Sequence, residues 1–269
     1  MKIINVFTNK TDVSEKLSVT LKEILEKKNF SVSYSYNPNA ILNICIGGDG
    51  AFLRAVHNSC YSPIPFAGIN TGHLGFYQEI SPSDIENFVE KYTKEEYKTE
   101  TLSLIDAEIL YRNNKIKMHA INEFAIRYLG SSIINIDVYI DDNFLEAFAG
   151  DALLVSTPYG STAYNFSAGG SVLFPSLKGY QLTSVAPINS KSYRSLPNSL
   201  VLPNMSKLKI KFPNYDPNKT LLIVHDGIEN EFHNYHDILE IVFYPSEKAI
   251  KRLVFDPNWY WNNLRHKLL

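Results

Sequence analysis

The 269-residue chain has room for one large or two modest domains, and with 45% hydrophobic and 20% charged residues it can bury a substantial core. A formal net charge of −2 excludes bulk attraction to nucleic acid or to an anionic membrane, so any phosphate site has to be built locally. Two cysteines, Cys45 and Cys60, are too few for a disulfide framework. No apolar run approaches the roughly 20 residues of a bilayer span, and the first residues lack a secretory pattern, so a cytoplasmic protein is expected.

The first third alternates strand and helix signals. Residues 2–7 are Ile/Val-rich and read as a strand, and Val13, Leu17, Leu21, Ile24 and Leu25 recur at helical spacing. Strands are predicted over 30–34, 41–46 and 65–69. A helix is predicted after Gly50, and another starts at Ser81-Pro82, with Ser81 as cap. Such alternation predicts a Rossmann-like parallel α/β domain over 1–98. Beyond it strands dominate, separated by turn chemistry such as Asp141-Asp142-Asn143 and Pro213-Asn214. The predicted strands are 104–111, 119–127, 133–140, 152–156, 208–212, 221–224, 238–243 and 250–255, with a helix over 162–169. These imply a β-sandwich-like domain over 99–255 and a helical tail over 256–269, packed back on the body.

Four segments carry candidate chemistry. At the end of the 41–46 strand stands Gly47-Gly48-Asp49-Gly50. Ligands of parallel sheets bind beyond the carboxyl ends of strands, and glycines there admit phosphate oxygens to backbone N–H groups. A carboxylate in such a cradle repels phosphate, which leaves Asp49 to take a proton from an attacking hydroxyl or to hold a divalent metal. A tight turn with a helix cap would also explain these residues. The second segment is Asn70-Thr71-Gly72-His73-Leu74-Gly75-Phe76-Tyr77, where Phe76 and Tyr77 offer flat faces to an adenine ring or pack a domain junction. His73 is a candidate phosphate partner.

The third segment is Asn122-Glu123, a polar pair within an apolar strand that either binds a ligand or faces solvent. The fourth runs from Gly150-Asp151 through Ser156-Thr157-Pro158-Tyr159-Gly160-Ser161-Thr162-Ala163-Tyr164-Asn165-Phe166-Ser167. Its density of neutral donors suits ribose hydroxyls, a nicotinamide amide and a pyrophosphate better than a single helix cap explains. The histidines show no metal-ligand spacing, and no basic stripe for nucleic acid exists.

These four segments, in this order, resemble the NAD kinase family from about residue 3 to about 255. The Gly-Gly-Asp-Gly turn alone is shared with lipid kinases and phosphofructokinases. Thr71 to Phe76 and Ser156 to Tyr164 are the more specific signatures. The resemblance implies an ATP-dependent kinase that phosphorylates the adenosine ribose 2′-hydroxyl of NAD, using Mg²⁺ with ATP or sometimes polyphosphate. It also implies a homodimer or homotetramer. Carried over, Asp49 is the general base, and Gly47, Gly48 and Gly50 present backbone to phosphates. Phe76 borders the adenine, Asn122 and Glu123 bind its ribose or base, and Asp151 takes the nicotinamide half. Ser161, Thr162, Ala163, Tyr164, Asn165 and Ser167 line the dinucleotide, and Ala186 presents backbone to it. The chain departs from the family pattern at Ala51 (usually Thr), Ala149 (commonly Arg) and Ile228 (usually Gln). Related lipid or sugar kinases, and a non-catalytic NAD(P) sensor, are the alternatives.

Overall fold

The computed structural model describes residues 1–72, 75–189 and 194–268, and these divide into two compact units. One comprises Met1–Leu102 with Ala249–Leu269, the other Ser103–Lys248.

The first unit contains β1 (Lys2–Thr8), α1 (Asp12–Lys27), β2 (Phe30–Ser33), β3 (Leu42–Gly47), α2 (Asp49–Asn58), β4 (Phe66–Asn70) and α3 (Ile85–Thr93). Its strands pair in parallel in the order β2-β1-β3-β4. β3 is buried at all six positions, as a strand covered on both faces must be. The strand order reverses between β1 and β3, so the crevice beyond their carboxyl ends is the natural ligand position, and the Gly47–Gly50 turn opens there. Ser81 caps a single 3₁₀ turn over Pro82–Asp84 before α3 begins, its hydroxyl accepting from the Ser83 N–H (3.4 Å). On α1 the buried face is Ser14, Ser18, Leu21 and Leu25, while Val13 is exposed. The expected stripe is therefore rotated, and its small serines let the helix start approach the β4 end, where Ser14 Oγ bonds Thr71 Oγ1 (2.9 Å).

The second unit is built from β5 (Lys98–Tyr111), which begins in the first unit, β6 (Lys115–Ala120), β7 (Glu123–Tyr128), β8 (Ile134–Ile140), β9 (Asn143–Gly150) and β10 (Ala152–Ser156). A 3₁₀ turn over Gly160–Thr162 precedes the one-turn helix α4 (Tyr164–Ser167). Then come β11 (Gly179–Val185), β12 (Leu200–Pro203), β13 (Leu208–Lys211), β14 (Leu221–His225), β15 (Ile228–Phe232) and β16 (Ile238–Val254), whose last residues belong to the first unit. There Arg252 pairs in parallel with Phe66 of β4. One sheet of the second unit runs β12-β11-β10-β7-β14-β15; β13, β8 and β9 follow the first part of β16 in the other, with β5 and β6 joined to it. The sheets enclose a common core that includes Ile105, Phe124, Ile136, Phe148, Leu153, Leu182, Ile223 and Phe243. This is the expected sandwich.

Three sequence readings change. The predicted 119–127 strand is two strands, β6 and β7, with Ile121 and Asn122 in the turn between them. The predicted 238–243 and 250–255 strands are one 17-residue strand that runs through Pro245. β9, β11, β12 and β15 were not expected. The tail after residue 256 forms α5 (Trp259–Leu268).

Candidate active site

In the first unit the Gly47-Gly48-Asp49-Gly50 turn joins β3 to α2. Gly47 has φ +154°, and a Cβ there would lie 2.5 Å from Ala51 Cβ, so the turn closes tightly over the helix start. Ala51, where the family carries a hydroxyl, fills that contact as a buried methyl. Asp49 is the first helical residue, and its carboxylate is received by two backbone donors: the Phe76 N–H reaches Oδ2 (2.8 Å) and the Tyr77 N–H reaches Oδ1 (3.0 Å). Gly75 makes this approach possible, because a Cβ on it would stand 2.2 Å from Asp49 Oδ1. The side chain remains 24% exposed, so the carboxylate is aimed by the backbone yet still accessible. Each oxygen keeps a further lone pair for an incoming hydroxyl.

Beside this turn, at the end of β1, a cleft of about 480 Å³ is lined by Lys10, Tyr34, Ala51, Arg54 and Asn58 among others. Its two cations are the local positive charge that the net composition does not supply, and neither stands within one of the four candidate segments, being placed here by the fold. Phe76 is half-buried. The Tyr77 ring is only 3% exposed and stacks on Phe52 at 4.7 Å, so its faces serve the core rather than an adenine. His73 and Leu74 lie outside the described residues.

In the second unit, the turn before β7 is clamped from both sides. The Asp226 carboxylate accepts from the Ile121 N–H (2.8 Å) and the Asn122 N–H (2.7 Å). Opposite, Thr157 Oγ1 donates to the Ile121 carbonyl (2.5 Å), and the Thr157 N–H donates to the Asn122 carbonyl (2.9 Å). Gly160 closes the cluster, since a Cβ on it would meet the Asn122 carbonyl oxygen at 2.0 Å. Asp226 reaches this position from the β14–β15 hairpin, where Asp226 (φ +49°) and Gly227 (φ +83°) both adopt the left-handed conformations of a tight hairpin turn.

Glu123 is 9% exposed, and its Oε2 has no hydrogen-bond partner among the described residues. Burial first, and then the nearby Asp226 charge, push its carboxyl up to about 8. At neutral pH it is therefore a proton donor as well as an acceptor. The folded chain keeps this proton up to about pH 8, whereas an unfolded glutamate releases it near pH 4.3. Folding thus takes up a proton between those values, and stability falls as pH rises across that window. Glu123→Gln removes the slope. Thermal melts from pH 5 to 9 are expected to show the variant gaining on the parent chain by roughly 2–5 kcal/mol, the gain complete just above pH 8. A constant offset would show that Glu123 does not titrate this way.

The Ser156–Ser167 segment divides by burial. Ser161 is fully buried, its hydroxyl donating to the Pro158 carbonyl (2.6 Å) and accepting from the Leu173 N–H (2.9 Å). Asn165 is also fully buried, with Oδ1 accepting from Thr183 (2.7 Å). Both side chains shape the loop and do not line an open site, because their polar atoms face inward. Thr162 and Ala163 are half-buried; Tyr164 and Ser167 are exposed. Asp151 and Ala186 are exposed too, but at the other end of β10, where Ala152 pairs with Val185. The Asn122 cluster adjoins the Ser156 end, paired with Glu123. Five strand residues separate the two groups by about 17 Å along β10. Ala149, where the family commonly has Arg, is 1% exposed within β9. Ile228 is 37% exposed at the hairpin.

A glycine-framed carboxylate at the switch point of a parallel sheet, followed by a sandwich carrying a clamped polar turn, defines a nucleotide-handling α/β protein with a second β unit. Comparison with known proteins gives the family. Residues 11–97 match the ATP-NAD kinase N-terminal domain, and residues 121–252 match the ATP-NAD kinase C-terminal domain. An NAD kinase of Finegoldia magna is 48% identical over 271 residues, covering 100% of this chain and 98% of that protein. An NAD kinase of Enterococcus faecalis is 35% identical over 79% of this chain and 80% of its own length. Among solved structures, yeast NADH kinase complexed with NADH superposes with a TM-score of 0.81 at 20% identity, covering 100% of this chain and 87% of that one. An Archaeoglobus fulgidus NAD kinase in complex with ATP gives 0.77 at 24% identity, covering 98% and 99%. The chain belongs to the NAD kinase family.

Proposed function

We propose that the chain phosphorylates the adenosine ribose 2′-hydroxyl of NAD with ATP, giving NADP. The observation that carries this reading is the Asp49 carboxylate, partly exposed just beyond the end of β3 and aimed by the Phe76 and Tyr77 amides. In the proposed mechanism the ribose hydroxyl gives its proton to Asp49 as its oxygen attacks the γ-phosphorus of ATP, and ADP leaves on the opposite side. Positioning and charge stabilisation supply the remainder of the rate. Gly47, Gly48 and Gly50 give the donor phosphates access to backbone, and the cleft holding Lys10 and Arg54 lies beside them. Phe76 borders the adenine. Asn122 and the Glu123 Oε2, which lacks a protein partner among the described residues, meet the ribose or base of NAD. Thr162, Ala163, Tyr164 and Ser167 line the dinucleotide.

The organisation that goes with this is an α/β nucleotide-binding domain over 1–98, an NAD-binding β domain over 99–255 and a helical tail over 256–269. We also propose a homo-oligomer, a dimer or tetramer. The separation of Asp151 and Ala186 from the Asn122 cluster supports it, since a second copy could present those residues to a dinucleotide bound by the first. No helix among the described residues is long and apolar enough to cross a membrane, and a cytoplasmic location suits the reading. Mg²⁺ enters as part of the donor. Among the described residues no group of three or more His, Cys, Asp or Glu is placed to hold a metal ion, and Mg²⁺ characteristically binds through substrate phosphates with one or two carboxylates.

The decisive experiment supplies the purified chain with NAD, ATP and Mg²⁺ and reads NADP through an NADP-specific dehydrogenase. NADP formation that requires all three is expected. Tight dinucleotide binding without NADP formation would convert the reading to a sensor, and preferential labelling of a lipid or sugar would convert it to a related kinase.

A further inference from the structure

The C-terminal helix meets the candidate catalytic carboxylate along one stripe. Trp259, Asn263 and Lys267 are spaced four residues apart on α5 and therefore share a face. Trp259 Nε1 donates to the Phe76 carbonyl (3.3 Å), and Asn263 Nδ2 donates to the Gly75 carbonyl (2.5 Å). Lys267 Nζ, the third member, lies 3.8 Å from Asp49 Oδ2 and 4.9 Å from the centroid of the Phe76 ring. The same peptide units that offer their N–H groups to Asp49 are thus held through their carbonyl side by this helix.

The docking is well tied. Asn263 is a 1% exposed amide on a helix whose other described residues are at least partly exposed, so its bond to Gly75 is the one a buried polar group requires. Before the helix, Arg252 donates to the Phe76 carbonyl and pairs with Glu100 (2.5 Å). The Phe255 N–H (2.9 Å) and the Asp256 N–H both donate to Glu79. The helix therefore enters at a fixed angle. The Phe76 ring beneath the ammonium gives a second attraction to the same place, of the cation–π kind.

We propose that Lys267 is a positioning residue for phosphoryl transfer: its ammonium is the third, cationic partner of Asp49, holding the carboxylate aimed while it takes the ribose proton. This deepens the kinase reading and rests on it. A partly exposed ion pair of this kind contributes up to about fivefold, so the effect is modest and specific.

The test is a double-mutant cycle on the full chain with Asp49→Asn, Lys267→Met and both together, plus Lys267→Arg, assayed with NAD, ATP and Mg²⁺ at raised enzyme concentration. Methionine retains a stem over Phe76 and removes only the charge. Lys267→Met is expected to lower kcat about fivefold with KM for NAD unchanged, and Lys267→Arg to restore most of it. In the Asp49→Asn background the lysine substitution is expected to cost almost nothing, because its partner is gone. A kcat equal to that of the parent chain, an arginine variant as impaired as methionine, or the same fold-loss in both backgrounds overturns the proposal; the last outcome would make Lys267 a direct phosphate ligand or a folding residue. Failure of Asp49→Asn itself to slow turnover would end the base role of Asp49 and this proposal with it, whereas absence of NADP formation by the parent chain would remove the kinase reading, so the two failures are distinct.

Discussion

Asp49→Asn is expected to lower turnover by about 10²–10⁴-fold while NAD still binds, the range for loss of a general base. The substitution preserves volume, but its electrostatics are not neutral. Asp49 accepts one backbone N–H on each oxygen, from Phe76 and Tyr77. Asparagine has one carbonyl oxygen, so one of those amides faces an NH₂ group and loses its acceptor. That mismatch costs about 1–3 kcal/mol of stability where the amide is shielded from water. Kinetic and thermal measurements are therefore needed together. A large fall in kcat with KM for NAD and its calorimetric affinity little changed identifies an interaction made only in the transition state. An equal loss in NAD affinity would make Asp49 a ground-state ligand, and turnover within a few-fold of the parent chain would end its catalytic role.

How much of this was readable beforehand varies with the range of the interactions. The β3 strand and its glycine turn were legible because a continuous apolar run ending in Gly-Gly-Asp-Gly is local information. The sandwich was legible as a class, but β15, Ile-Glu-Asn-Glu-Phe, was not, because among the described residues it pairs with β14 alone at a sheet edge, and it keeps mostly polar residues. β16 was split in two because Pro245 and Ser246 break its alternation, although the strand continues through them. Asn122 and Glu123 were noticed as polar residues in an apolar run; what holds them, Asp226, lies more than 100 residues away and reads as an ordinary Asp-Gly hairpin turn. The polar side chains of Ser161 and Asn165 suit a ligand by chemistry alone, and only three-dimensional placement shows that their polar atoms turn inward. Lys267 left no local signal at all. A lysine near the end of a polar tail is the commonest kind of solvated residue, and its neighbour Asp49 is far off in sequence.

Gly75→Ala is expected to cost about 100-fold in kcat, although it adds one methyl group and touches no substrate. The three nearest conflicts are all with Asp49, because the new Cβ would stand 2.2 Å from Oδ1, 2.6 Å from Cγ and 2.8 Å from Oδ2. A real Cβ needs more than 3 Å, so either the carboxylate swings away or the 75–77 backbone retreats, and in both cases the two amide bonds lengthen. A displacement of about 1 Å at a reacting group is enough for a loss of this size. The retreat of the backbone is resisted, since Asn263 grips the Gly75 carbonyl and Trp259 and Arg252 grip that of Phe76. The carboxylate, at the end of a side chain that is 24% exposed, is the part free to move. The variant should therefore fold, bind NAD with nearly parental affinity, and show little further loss when Asp49→Asn is added, because the aim of that group is already gone. A fully active Gly75→Ala enzyme would mean that the orientation set by the Phe76 and Tyr77 amides is not the one in which Asp49 works.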